Sequence, residues 1–188
     1  MNVFAIRHGE TEWSLSGKHT GTTDIPLTTM AAGSRNECGR SWPEISLDLP
    51  SAALHRARET CELSGFGQNM VVDPDLSEWD YGEYEGKTPA EIHEVTPGWL
   101  IFSDGCPGGE MPEQVGARVD RVIARTRALD RDILLFAHGH VLRVLAARWI
   151  GLPPEGGQHF LLDTGTLCVL SYYRDVPAIR IWNGPLMD

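Results

Sequence analysis

Two short apolar runs that each end in a histidine constrain this chain more than any other feature. Asn2-Val3-Phe4-Ala5-Ile6 leads directly into Arg7-His8-Gly9, and far downstream Ile133-Leu134-Leu135-Phe136-Ala137 delivers His138-Gly139-His140. Such uninterrupted runs read as strands buried within a helix-covered sheet. Open α/β sheets present ligands just beyond the carboxyl ends of their strands, where both histidines fall. The flanking residues suit a phosphoryl group, since Arg7 offers planar donors to phosphate oxygens and Gly9 lets the backbone come close. Two strand-end histidines with adjacent glycines and a nearby arginine point to phosphoryl transfer through a phosphohistidine.

The rest of the pattern agrees with an α/β architecture. Val3 to Ile6, Ile133 to Ala137 and Thr166 to Tyr173 read as buried strands, and Ala178 to Trp182 as a partner of the last across the turn Arg174-Asp175-Val176-Pro177. A further strand near Leu49 to Ala53 turns into a helix. Helices are predicted over Thr28 to Arg40, Arg56 to Leu63, Pro112 to Leu129 and His140 to Ile150. The third places Val115, Val119, Val122 and Ile123 at helical spacing, with Glu113 at the positive end of the dipole. The expectation is a three-layer sandwich, a mostly parallel central sheet covered by helices on both faces. At 188 residues the chain fits one domain, 1–188. Residues 86–110, irregular and rich in Pro and Gly, are expected to form a substrate loop or lid anchored by Trp99, Ile101 and Phe102.

Composition narrows the partners. A net charge of −10 argues against broad nucleic-acid binding and repels anionic substrates at long range, so a phosphate site must rest on arginines that converge locally. No apolar run approaches the ~20 residues that span a bilayer, and no cleavable signal precedes the first strand. A cytoplasmic protein without membrane association is expected, acting on a small phosphorylated metabolite and possessing the option of homo-oligomerisation. Cys38, Cys61, Cys106 and Cys168 are scattered, with neither zinc-ligand nor disulfide-framework spacing, so reduced thiols are expected.

His8 is the candidate nucleophile, provided its other ring nitrogen carries a proton that fixes the tautomer. Charge on the transferring oxygens needs fixed donors, for which Arg7, Arg56 and His138 are the natural supply. Spacing alone does not separate Arg56 from Arg58. A leaving alkoxide needs a proton, and Glu78-Trp79-Asp80-Tyr81-Gly82-Glu83-Tyr84-Glu85 offers four carboxylates among aromatics. A carboxyl packed against rings is a general-acid candidate, but periodicity does not choose among the four. A metal alternative rests on His138, His140 and these carboxylates; the chain lacks HExxH, and no metal or other cofactor is expected.

The motifs R-H-G-E-T-E-W at Arg7 to Trp13, T-G-T-T-D-I-P-L-T at Thr20 to Thr28, H-R-A-R-E-T at His55 to Thr60 and F-A-H-G-H-V-L-R at Phe136 to Arg143 run through nearly the whole chain. In that order they resemble the histidine phosphatase superfamily, the phosphoglycerate mutase-like clan. E-W-D-Y-G-E-Y-E-G, D-G-C-P-G-G-E and L-S-Y-Y look most like its sedoheptulose-1,7-bisphosphatase branch. The resemblance implies that His8 becomes phosphorylated while Arg7, Arg56 and His138 hold the phosphoryl group. It selects Glu78 as proton donor, places Thr20 and Gly21 at the substrate entrance, and has Gly139 allow close packing beside His138. His140 either touches substrate or caps the following helix.

Ser14 stands where many members of that family have asparagine, Ala52 where a serine is common, and Met111 where a small hydroxyl residue is usual. These departures bear on substrate choice, with Ser14 kept as a substrate-binding candidate. Together the motifs imply metal-independent hydrolysis of small phosphate monoesters, sugar phosphates or a sugar bisphosphate. A second phosphate would need Lys18, Arg58 or Arg143. The rivals are a mutase, which needs a longer insertion to keep its intermediate dry, and a non-catalytic module that binds a phosphorylated ligand.

Overall fold

The computed structural model describes residues 1–33, 49–51 and 54–186. Six strands form one sheet: β1 (Val3–Arg7), β2 (Leu49–Ser51), β3 (Met70–Val72), β4 (Ile133–Ala137), β5 (Leu167–Tyr173) and β6 (Val176–Gly184), in the order β3-β2-β4-β1-β5-β6. The helices are α1 (Glu12–Ser16), α2 (Thr29–Gly33), α3 (His55–Leu63), α4 (Pro89–Val95), α5 (Ile101–Asp104), α6 (Pro112–Leu129) and α7 (Gly139–Trp149). The predicted helix beyond Gly33, with Cys38 and Ala52, lies outside the described residues.

Side chains of alternate parity on β4 explain why its run is apolar throughout. Ile133, Leu135 and Ala137 pack with Val115 and Val119 of α6 and Val141 and Leu145 of α7, while Leu134 and Phe136 pack with Cys61 of α3 and Val169 of β5. Helices therefore cover both faces of the sheet, and all five β4 residues are buried. The α6 stripe is buried as predicted, and Asp130 ends the helix in the left-handed region at φ 44°. Cys106 and Cys168 are buried free thiols, and Cys61 is buried as well. Among the described residues no helix is long and apolar enough to cross a membrane.

The sheet is mixed, which corrects the expectation of a mostly parallel one. β3, β2, β4 and β1 pair in parallel, but β1 with β5 and β5 with β6 are antiparallel. The cause lies in the segment between α7 and β5. A 3₁₀ stretch, Pro154–His159, and the loop after it carry the chain back to the carboxyl end of β1, where the Gly165 amide donates to the carbonyls of Arg7 (3.2 Å) and His8 (3.0 Å). From there β5 can only run against β1. The two residues Arg174 and Asp175 then turn the chain into β6, and Pro177 is tolerated because β6 is an edge strand. Residues 86–110, read as irregular, contain α4 and α5 and bury Ile92, Trp99, Ile101 and Phe102 in the main core.

Candidate active site

Parallel pairing of β1 and β4, with Arg7 beside Ala137 in register, brings the two strand-end histidines together. Their rings lie 5.2 Å apart, centre to centre, and both side chains are buried. The backbone sets opposite tautomers on them. His8 Nδ1 lies 2.7 Å from the Gly9 carbonyl, which can only accept, so Nδ1 carries the proton and Nε2 keeps a lone pair. His138 is reversed: Arg56 Nε donates to its Nδ1 at 3.1 Å, leaving Nε2 as a buried N–H with no acceptor among the described residues. A ring nitrogen with a lone pair thus lies beside a buried N–H donor.

Arg7 contributes in the same sense. Its Nη1 donates to the Leu162 carbonyl, while Nε is buried and has no partner among the described residues. Gly139 is small for a physical reason, since a Cβ there would stand 3.3 Å from the Arg7 Cζ and Nε. Arg56, wholly buried, donates through Nη1 to Thr23 O (3.0 Å) and through Nη2 to Thr20 O (2.7 Å) and Gly21 O (3.2 Å). Its main visible work is therefore to hold the 20–23 loop and the His138 tautomer. Thr20 lines the cleft. Gly21 is fixed from the other side by the Glu85 carboxylate, which accepts from the Gly21 amide at 2.9 Å and the Thr23 amide at 3.0 Å. A Cβ on Gly21 would collide with Trp79 O at 2.6 Å.

The cleft between these elements has a volume of about 240 Å³, and of the four clustered carboxylates only Glu78 lines it. Asp80 is turned back to the Gly82 amide, Glu85 serves the 20–23 loop, and Glu83 is exposed. Glu78 sits at the start of α7, where Oε1 accepts from the amides of Trp79 and Val141 (both 2.9 Å) and Oε2 from that of His140 (3.0 Å). Helix N-termini suit such a carboxylate. The His140 ring lines the cleft, and the His138 backbone rather than His140 caps α7. Ser14 also lines the cleft, but its hydroxyl donates to Thr11 O (2.8 Å) and accepts from Thr11 N (2.9 Å), so it is engaged in closing α1. Lys18 and Arg143 border the cleft, whereas Arg58 is exposed on α3 and does not.

Two residues that sequence reasoning missed position the site. Glu85 was one of four equivalent carboxylates on paper. Arg118, 8% exposed, donates to the carbonyls of Asp75 (2.8 Å), Ser77 (2.6 Å) and Glu78 (3.1 Å) and forms a two-pronged pair with Glu110. It thereby pins the segment that presents Glu78. Arg118→Ala is expected to cost about 3 kcal/mol, because several buried carbonyls and a carboxylate lose their partner. A thermal scan checks this, and an unchanged Tm would show that the network is dispensable.

Burial pushes His8 and His138 well below the usual imidazole range, and the Arg56 guanidinium, with Arg7, pushes further in the same direction. An unfolded histidine protonates near pH 6.5, while these protonate only at lower pH in the fold, so the unfolded state holds more protons in between. Stability is full above about pH 6.5 and is lost as pH falls from there toward the folded values. His8 remains neutral over the same window. Any activity that needs neutral His8 is therefore expected to persist below the ordinary histidine value while Tm falls. A kcat/KM profile with its acid limb at the ordinary histidine value would contradict this.

Comparison with known proteins agrees with the geometry. The model of the histidine phosphatase superfamily (branch 1) matches residues 3–185, and the chain belongs to that family. It is 36% identical to an acid phosphatase of Mycobacterium tuberculosis, over 95% of this chain and 90% of that one. It is 39% identical to a sedoheptulose 1,7-bisphosphatase of Saccharomyces cerevisiae, over 97% of this chain and 92% of the relative. The solved structure of a Mycobacterium tuberculosis open reading frame superposes with a TM-score of 0.91 at 34% identity, covering 98% of each chain. The protein is a phosphatase of the α/β histidine phosphatase fold.

Proposed function

We propose that the enzyme hydrolyses phosphate monoesters of small sugars in two steps through a phosphohistidine on His8. The observation that carries this reading is the pair of opposite tautomers, a free His8 Nε2 lone pair facing a free His138 Nε2–H. In the first step His8 Nε2 attacks phosphorus, a P–N bond forms and the ester P–O bond breaks. Glu78 delivers a proton to the leaving oxygen. Arg7 and His138 donate to the phosphoryl oxygens, and Arg56 keeps His138 in the donating tautomer. In the second step water attacks phosphorus, Glu78 takes its proton, and the P–N bond breaks to return His8.

The sugar bisphosphatase relative and the two cations bordering the cleft, Lys18 and Arg143, support a substrate with a second phosphate. Release of inorganic phosphate from a panel of sugar mono- and bisphosphates tests the reading, together with acid-labile labelling of His8. Excess EDTA is expected to leave the rate unchanged, since no step uses a metal. Vanadate is expected to inhibit by imitating the five-coordinate phosphoryl group. Loss of activity on chelation, restored by a divalent ion, would refute the metal-independent route.

A further inference from the structure

Beside the catalytic histidines the cleft holds a second pair of imidazoles, His19 and His140, stacked 5.9 Å apart with their planes 10° from parallel. Their tautomers are also opposite. His19 Nδ1 lies 2.9 Å from the Lys87 carbonyl, so Nδ1 carries the proton and Nε2 is an acceptor. His140 Nδ1 lies 2.6 Å from the Tyr81 hydroxyl. Tyr81 is 2% exposed, and accepting from the ring would leave its own proton without an acceptor among the described residues. Donation from Tyr81 satisfies both groups and makes His140 Nε2 an N–H donor. Burial, which pushes the Tyr81 phenol well above its ordinary range, keeps that proton on oxygen.

Neither Nε2 bonds to a described residue, and aromatic edges hold both rings still. Tyr81 (4.7 Å) and Trp99 (5.4 Å) abut His19, while Phe102 (5.3 Å) abuts His140. The His140 amide donates to Glu78 Oε2, so the pair stands next to the proton donor for the leaving oxygen. What it meets is the alcohol that departs.

We infer that His19 and His140 form a hydroxyl reader for the leaving alcohol, His140 Nε2–H donating to one hydroxyl and His19 Nε2 accepting from it or its neighbour. The inference rests on the phosphatase reading and gives its substrate a class, a phosphate ester of a polyol. A hydroxyl both donates and accepts, so it satisfies adjacent groups of opposite polarity, whereas a carboxylate or an ammonium would match one imidazole and leave the other unpaired. An alcohol without further hydroxyls leaves both unpaired, the situation in which buried polar sites reject an analogue most strongly. Tyr81 is a positioning residue, since it sets the His140 tautomer without reaching the substrate through that bond.

The test compares kcat/KM for glycerol 1-phosphate and n-propyl phosphate, which share the reacting phosphoryl group and differ in two hydroxyls. Wild type should prefer the glycerol ester by about 100-fold, and His19→Phe and Tyr81→Phe, which keep the rings, should each cut that ratio by about tenfold. ¹⁵N spectra of the histidines should show His19 protonated on Nδ1 and His140 on Nε2, with the His140 signature becoming mixed in Tyr81→Phe. Equal kcat/KM for the two esters in wild type, or a ratio unmoved by either variant, would overturn the reader, as would spectra placing both protons on the same ring atom. Those outcomes differ from failure of the phosphatase reading, in which neither ester releases phosphate, and the spectra decide on the pair even then.

Discussion

His8→Ala is expected to lower kcat by at least about 10³-fold with the fold intact, because it removes the atom proposed to form the covalent bond and leaves only binding and fixed donors. The neighbouring His138 does not replace it, since it presents an N–H where His8 presents a lone pair, and Arg56 holds it that way at 3.1 Å. Phosphate release and circular dichroism on the same preparation check the result. Retention of more than about a tenth of the wild-type kcat would exclude the phosphohistidine route. The variant should also lose less stability on acidification than wild type, since one buried imidazole no longer has to stay neutral.

Arg56→Lys is expected to fall almost as far, by about 10²- to 10³-fold in kcat, and to destabilise the protein by about 3 kcal/mol. The lysine keeps the charge but offers one nitrogen where the guanidinium uses three, on His138 and on the carbonyls of Thr20, Gly21 and Thr23. If Arg56 acted only as a point charge toward the phosphoryl group, lysine would restore most of the rate. Steady-state kinetics with a Tm measurement separates the two, and near-wild-type kcat for the lysine variant would refute the tautomer-setting role.

The parts of the fold legible in the sequence are those where one segment carries its own signal. β4 is apolar on both faces because helices cover both, and α6 shows its stripe and its Pro112 start plainly. The direction of β5 was not legible, since it depends on where the Pro154–His159 stretch lands rather than on the residues of β5. β3 escaped notice because it has three residues and leaves Val71 and Val72 half exposed at the sheet edge. In the site, His8, Arg7 and His138 were visible as strand-end residues, and the choice of Glu78 waited on the family resemblance until the cleft isolated it. Glu85, Arg118 and Tyr81 act on backbone groups or a ring from distant segments, and such pairings leave no local pattern.

The pairing of β1 with β4 joins segments 130 residues apart, and Asn2 bonded to Asp132 marks the start of that pairing. Closing so wide a loop is slow relative to local contacts. During synthesis His8 therefore leaves the ribosome long before His138, as a histidine at the end of an unpaired strand. A chain interrupted anywhere before Ala137 carries His8 without the donor that faces it. The facing pair of imidazoles is therefore completed in one late step.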